Sequence, residues 1–168
     1  MRSILRRREL VADDWRYLSE VHDERGASGT VRGAALIIPL VELRADREFW
    51  LARPGPLGVR LSPVDNVEEL EPDLPRLALV AAEFPGPGDG RGFSQGRILR
   101  TRLGFEGELR AVGAGVKQDL IFLMARCGFD SFELAPGQTL ESALKAYTRY
   151  TVAYQPGAPL SSIMMQRH

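Results

Sequence analysis

Two stretches of this chain are near copies, RLGFE at 102–106 and RCGFD at 126–130. Each places an arginine in the last turn of a helix, where it suits the negative dipole end, then a glycine just past the cap and a phenylalanine that packs back. Between and around these joints lie apolar runs with the composition of strands, at 57–61, 77–83, 108–112 and 131–134. The repeating unit is therefore one strand and one helix. Strands linked by helical crossovers pair in parallel through right-handed connections. The fold class expected is α/β, with a mostly parallel sheet that is either small and open or half-barrel-like.

An N-terminal β extension precedes these units. Residues 34–43 carry the branched side chains of a strand, and the turn RPGP at 53–56 leads into 57–61, so these two strands are expected to pair as a lid or edge. Residues 1–33 are polar and arginine-rich, which predicts a loosely attached start, and 34–155 form the α/β domain. Residues 156–168 are expected to be a disordered tail. With 168 residues and 44% hydrophobic content, the chain supports one core and not two comfortable domains.

Composition removes several function classes. Lys+Arg and Asp+Glu both number 22, so no global positive field attracts a nucleic acid or an anionic membrane, and the aromatic residues do not interleave with a basic stripe. The longest apolar run, 34–41, is far shorter than the roughly 20 residues that span a bilayer. After Arg6–Arg8 comes ELVADDWRYL, which is too polar for a signal peptide, and a cytoplasmic protein is expected. The single cysteine, Cys127, allows neither an internal disulfide nor a four-thiolate cluster, and His22 and His168 are too few for histidine-based zinc or catalytic sites.

Helical periodicity places Val116, Leu120, Leu123 and Cys127 on one stripe with Met124 beside them, and that stripe is expected to face the sheet. The last helix is expected to start at Thr139 as N-cap and to bury Leu140, Ala143, Leu144 and Tyr147.

Residues 89–100, DGRGFSQGRILR, follow the strand 77–83 at the point where an α/β sheet commonly binds ligands. With Ser94 as N-cap, Arg97 falls at the third helical position, where a cation beside the positive dipole end costs about 0.3–1 kcal/mol. A bound anion relieves that mismatch. Gly90, Arg91, Gly92, Ser94, Arg97 and Arg100 are therefore the candidate anion-binding residues, with Asp89 positioning the loop. The bland reading is a glycine-rich turn carrying surface arginines.

Glu83, Arg110 and Glu133 interrupt strands that are otherwise apolar, and parallel strands seldom carry charge without a reason. They form either a buried ion-pair ladder or a functional cluster at the carboxyl edge, and Arg110, Asp89 and Glu83 are the catalytic candidates. Gly113-Ala114-Gly115, twenty residues before Glu133, superficially mimics a dinucleotide fingerprint, but Gln118 replaces its third glycine. Cys127, at the end of an apolar stripe, reads as core.

GPLGVRL at 55–61, DLPRLALVAAEFP at 73–85, DGRGFSQGRILR at 89–100, GELRAVG at 107–113, RCGFD at 126–130 and YQ at 154–155 together resemble the bacterial domain-of-unknown-function family 934. Members of that family are commonly labelled oxidoreductases involved in sulfite reduction, so the resemblance implies a place in sulfur assimilation. It carries Asp89, Gly90, Arg91, Gly92, Ser94, Arg97, Arg100, Glu108, Arg110 and Gly113 as recurrent positions. The chain departs at Ala114-Gly115, where the family usually reads Asp-Val, at Gln118-Asp119, where it reads Asp-Gln, and at Pro87, where an aromatic is usual.

The leading expectation is a protein that binds a small anionic metabolite, a sulfur oxyanion or phosphorylated sulfur compound, at 89–97. A competing one is a non-catalytic accessory docking onto a sulfite or phosphoadenosine phosphosulfate reductase. A homodimer completing a barrel is a third. No cluster ligands, flavin fingerprint or paired thiols appear, which leaves the cofactor unidentified and any electrons to a partner or to a group without a sequence signature.

Overall fold

In the computed structural model the described residues are 2–21 and 33–153. The strands are β1 (Ser3–Arg6), β2 (Glu9–Ala12), β3 (Arg16–Tyr17), β4 (Leu36–Pro39), β5 (Leu57–Leu61), β6 (Leu79–Glu83), β7 (Glu108–Val112) and β8 (Ser131–Phe132). Helices α1 (Leu40–Ala45), α2 (Arg47–Ala52), α3 (Arg91–Arg97), α4 (Ile121–Arg126) and α5 (Leu140–Ala153) connect or follow them. All eight strands share one sheet in the order β2-β1-β8-β7-β6-β5-β4-β3. From β3 to β8 each strand pairs in parallel with the next, while β1 joins β8 and β2 antiparallel.

That order forces the sheet to curl. β2 and β3 lie at opposite edges, yet only Asp13, Asp14 and Trp15 separate them in sequence. Four Cα steps reach at most about 14 Å. Eight strands laid flat, at about 4.8 Å spacing, put the edges about 34 Å apart. The sheet is consequently bent like part of a (β/α) barrel, which decides between the two sheet geometries the periodicity left open.

Strand alternation then sorts side chains onto two faces. Leu57, Val59 and Leu61 of β5, Val80 and Ala82 of β6, Leu109 and Ala111 of β7 and Phe132 of β8 join Leu43, Trp50, Leu99, Met124 and Tyr147 in the main core under the helices. Ile37, Leu79, Ala81 and Val112 point the other way and form a small second cluster with Trp15 and Tyr17. The concave face is thus narrow, and Arg60, Glu83, Glu108 and Arg110 share it with the uncharged Gly58 and Ser131.

Several expectations change. The N-terminal segment is not a loose start: residues 2–21 supply three strands, and Ile4 and Leu5 have no exposed surface. Its composition misled because Arg2 and Arg6–Arg8 flank a short buried pair, Ile4-Leu5. Of the expected strand 34–43 only Leu36–Pro39 is a strand, which lies beside 57–61 in the sheet and is not a lid, because Leu40, Leu43 and Trp50 give the following residues an apolar helical face that buries as α1 and α2. Gly113–Leu120 is a series of turns, so α4 starts only at Ile121 and presents Ile121 and Met124 to the core while Leu123 is 47% exposed.

Other expectations hold. Both copied joints end their helical segments at glycines in the left-handed region, φ 65° at Gly104 and 102° at Gly128, and Phe105 and Phe129 are buried. The Thr139 hydroxyl accepts from the Ser142 amide at 3.2 Å at the start of α5, whose Ala143 and Tyr147 are buried. The expected tail, 156–168, lies outside the described residues. Among the described residues no helix is long and apolar enough to cross a membrane.

Candidate functional site

Arg110 sits in mid-strand on the concave face with no exposed side-chain surface. Its two terminal nitrogens donate to the carboxylate of Asp13, each at 3.0 Å, and its Nε and Nη2 donate to Glu108 Oε1 at 3.0 and 2.8 Å. Ser131 Oγ adds a donation to the same Glu108 oxygen at 2.7 Å, and Arg2 Nε donates to Asp13 at 2.8 Å. Burial alone lowers an arginine pKa, but Glu108 and Asp13 outweigh it and the Arg110 value is raised. The pair bridges β7, in the interior of the sheet, to the β2–β3 crossover, so the charges fasten that crossover across the concave face. Arg110, Glu108 and Ser131 are spent on one another and on Asp13.

Toward the carboxyl ends of the strands the charges open to solvent. Tyr17 donates from its hydroxyl to Glu133 at 2.6 Å, and two guanidinium groups approach its ring, Arg2 at 4.9 Å and Arg60 at 5.8 Å from the ring centre. Burial, then Glu133, pushes the Tyr17 pKa up, so the phenol stays protonated and keeps donating. Arg60 in turn pairs with Glu83 at 2.9 Å. A continuous polar chain, Glu83–Arg60–Tyr17–Glu133–Arg2, crosses the mouth of the curled sheet. Beside it opens a cleft of about 340 Å³ lined by Pro39, Leu40, Val41, Arg60, Ser62, Asp65 and Glu83.

The segment expected to hold an anion has a different local geometry. α3 starts at Arg91 with Gly90 as its N-cap, so Ser94 lies inside the helix and Arg97 at its end. The start moves forward because an Asp89 carboxylate oxygen accepts the Arg91 amide at 3.1 Å. The same carboxylate receives the Arg91 guanidinium, Nε to Oδ1 at 3.0 Å, which holds the Asp89 pKa down at about 2. Gly92 and Gly96 serve packing: a Cβ on Gly92 would stand 2.6 Å from the Phe84 ring, and one on Gly96 would overlap the Phe129 ring.

Arg100 is directed into the fold. Its Nε donates to the Gly128 carbonyl at 2.9 Å and its Nη1 to the carbonyls of Phe105 and Gly107 at 2.6 and 2.9 Å, with Asp130 at 3.4 Å. It therefore stitches the two copied joints to each other. Ser94 and Arg97 are exposed. Gln95, 5% exposed, donates from Nε2 to the carbonyls of Ser62 and Asp65 and so fixes the cleft wall, while its Oε1 is buried without a partner.

The family model for bacterial proteins of unknown function, DUF934, matches residues 58–162, more than half of the chain. The chain belongs to DUF934. No curated protein matches it.

The DUF934 match covers Arg60, Ser62, Asp65 and Glu83 of the cleft together with Glu108 and Arg110, whereas Arg2, Asp13 and Tyr17 precede it. Of the residues singled out in sequence, the structure brings Glu83 and Glu133 to the mouth, Arg110 to the buried network and Arg91 to Asp89. The dinucleotide-like glycines do not open a helix. The Gly115 amide donates to the Phe84 carbonyl at 2.7 Å, and Gly113 adopts φ 107° against Phe84. Cys127 is half-buried against the core, and burial pushes its thiol pKa up against the pull of Arg97 and Arg126. Among the described residues, no three His, Cys, Asp or Glu side chains converge as metal ligands.

Sequence reasoning missed Arg60, Tyr17 and Asp13. A signal existed for Arg60, a charge inside the apolar strand LGVRL, the same anomaly that singled out Arg110. Asp13 and Tyr17 carried none, since their partners lie about a hundred residues away along the chain, 97 for Asp13 and 116 for Tyr17.

Proposed function

We propose that this DUF934 protein binds a small charged metabolite in the cleft at the carboxyl ends of β4, β5 and β6, in the service of assimilatory sulfite or sulfate reduction. The observation that carries the binding site is the Arg60–Glu83 pair lining a cleft of about 340 Å³. Sheets of parallel strands bind ligands outside their carboxyl ends, where loops differ while the scaffold stays rigid. Ligand pockets run from about 300 to 1,000 Å³, so this one suits a small molecule and not a dinucleotide. The metabolic setting rests on the family resemblance.

In this reading Arg60 holds ligand charge, Glu83 and Tyr17 orient Arg60, and Gln95 keeps the wall formed by Ser62 and Asp65 in place. Glu83 is the acid–base candidate with solvent access. Arg110 and Glu108 support the mouth from below. Isothermal titration of the full chain with a panel of sulfite, sulfate, adenosine phosphosulfate and small amino acids tests it. Heat is expected for at least one compound and is lost in Arg60→Ala. Heat that survives Arg60→Ala and vanishes in Arg91→Ala moves the ligand to the start of α3, as the oxyanion reading requires.

The accessory reading draws on a separate observation. Val41, on the cleft wall, is 62% exposed, and Val64, next to Asp65, is 78% exposed. Apolar side chains at the rim of a charged cleft suit a partner protein, here a sulfite or phosphoadenosine phosphosulfate reductase. Co-purification lost on Val64→Asp, with small-molecule heats intact, favours docking over metabolite binding.

A further inference from the structure

We infer that the cleft takes an amino-acid-like zwitterion with a short aliphatic body, and not an inorganic oxyanion; this rests on the cleft being the ligand site. Its wall holds one open cation and one open anion. Arg60 Nη2 stands 2.9 Å from Glu83 Oε1, with the two side chains 36% and 28% exposed. The other carboxylate, Asp65, is already answered: its Oδ2 accepts the Ser62 amide at 2.7 Å and its Oδ1 lies 3.4 Å from Arg44. The charge offered to a guest is therefore a matched pair and not a surplus of positive charge.

A sulfate or sulfite dianion entering here meets the guanidinium that must hold it and, within hydrogen-bond distance of that guanidinium, a carboxylate that repels it. A zwitterion meets no such conflict. Its carboxylate takes the Arg60 donors and its ammonium takes Glu83, so the resident pair is exchanged for two charge-assisted pairs and no charge is left without a partner. Opening a half-exposed arginine–glutamate pair costs little, because such pairs contribute close to nothing in water. The Tyr17 ring, 5.8 Å from the Arg60 guanidinium, holds that group in place as its carboxylate partner changes.

The third wall sets the body of the ligand. Pro39, the strand neighbour of Arg60, and the exposed Val41 add an aliphatic surface beside the charges, and the cleft lies near the small end of the ligand-pocket range. A side chain of three or four carbons fits both.

Titration calorimetry with L-valine, isovalerate, isobutylamine and sulfate separates the terms, since the second and third probes each lack one of valine's charges. L-valine is expected to bind at least about tenfold more tightly than isovalerate or isobutylamine, the size of one charged hydrogen bond. Glu83→Gln is expected to weaken valine by about tenfold without weakening isovalerate, and Arg60→Gln to weaken valine without weakening isobutylamine. Both sites are partly exposed, and circular dichroism melts check that the variants fold. Isovalerate or sulfate binding as tightly as valine overturns the zwitterion inference while leaving the cleft as a site. Silence from all four probes and from the wider panel overturns the cleft itself.

Discussion

The start of α3 and the concave face of the sheet both gather arginine and aspartate, and the chain uses them in opposite ways. Arg91 meets Asp89 two residues away, and the arginine is 57% exposed. A turn brings them together, and the pair forms whatever the rest of the chain does. Arg110 meets Asp13 across 97 residues, and neither side chain has any exposed surface. Its geometry exists only in the folded sheet. Local pairs in water are weak, whereas a buried pair is costly to break because the survivor keeps its charge without solvent.

The sharpest way to break this comparison is Arg110→Met. Removing one member of a buried ion pair typically costs 3–5 kcal/mol. A loss of about 3 kcal/mol is expected, at the low end, because Arg2 still answers Asp13 and Ser131 still answers Glu108. Denaturant unfolding measures it. The same network predicts an acid limb. Burial pushes the Asp13 carboxyl up, but Arg110 and Arg2 overcome this and its pKa is lowered. A lowered folded value stabilises above the unfolded pKa of about 3.9 and is lost as pH falls below it. Stability should therefore drop below about pH 4, and Asp13→Asn should flatten that part of the curve.

A smaller effect separates the two roles of glycine in α3. At an exposed helical site Gly→Ala stabilises by about 1 kcal/mol. At Gly96 the new methyl overlaps the Phe129 ring, so Gly96→Ala is expected to destabilise by about 1–3 kcal/mol, the cost of overpacking. Thermal unfolding gives the sign. A stabilised variant means that α3 does not press on Phe129 and that its glycines serve another purpose, such as close approach of a ligand.

The smallest effect is expected for Arg91→Ala, with no measurable change in unfolding midpoint. The change should instead appear in Asp89. Its pKa, held at about 2 by Arg91, should return toward the ordinary carboxylate range when followed by carbon-detected NMR titration. An unmoved value means that something other than Arg91 stabilises the charge there.

The sequence by itself determined what depends on neighbours along the chain. The glycine stops at 104 and 128, the Thr139 cap, the apolar faces of β5, β6 and β7 and the parallel α/β class all follow from dihedral preference and alternation over a few residues. It also marked Glu83, Arg110 and Glu133 as out of place in strands. Tertiary structure alone decided what each one does. Arg110 became a buried brace and Glu83 a cleft wall because the short crossover 13–15 curls the sheet until its edges come near each other, bringing Asp13 under β7 and Tyr17 over the mouth. Local patterns specify strands and helices; which charges share a site is set by the curl of the sheet, a property of all eight strands together.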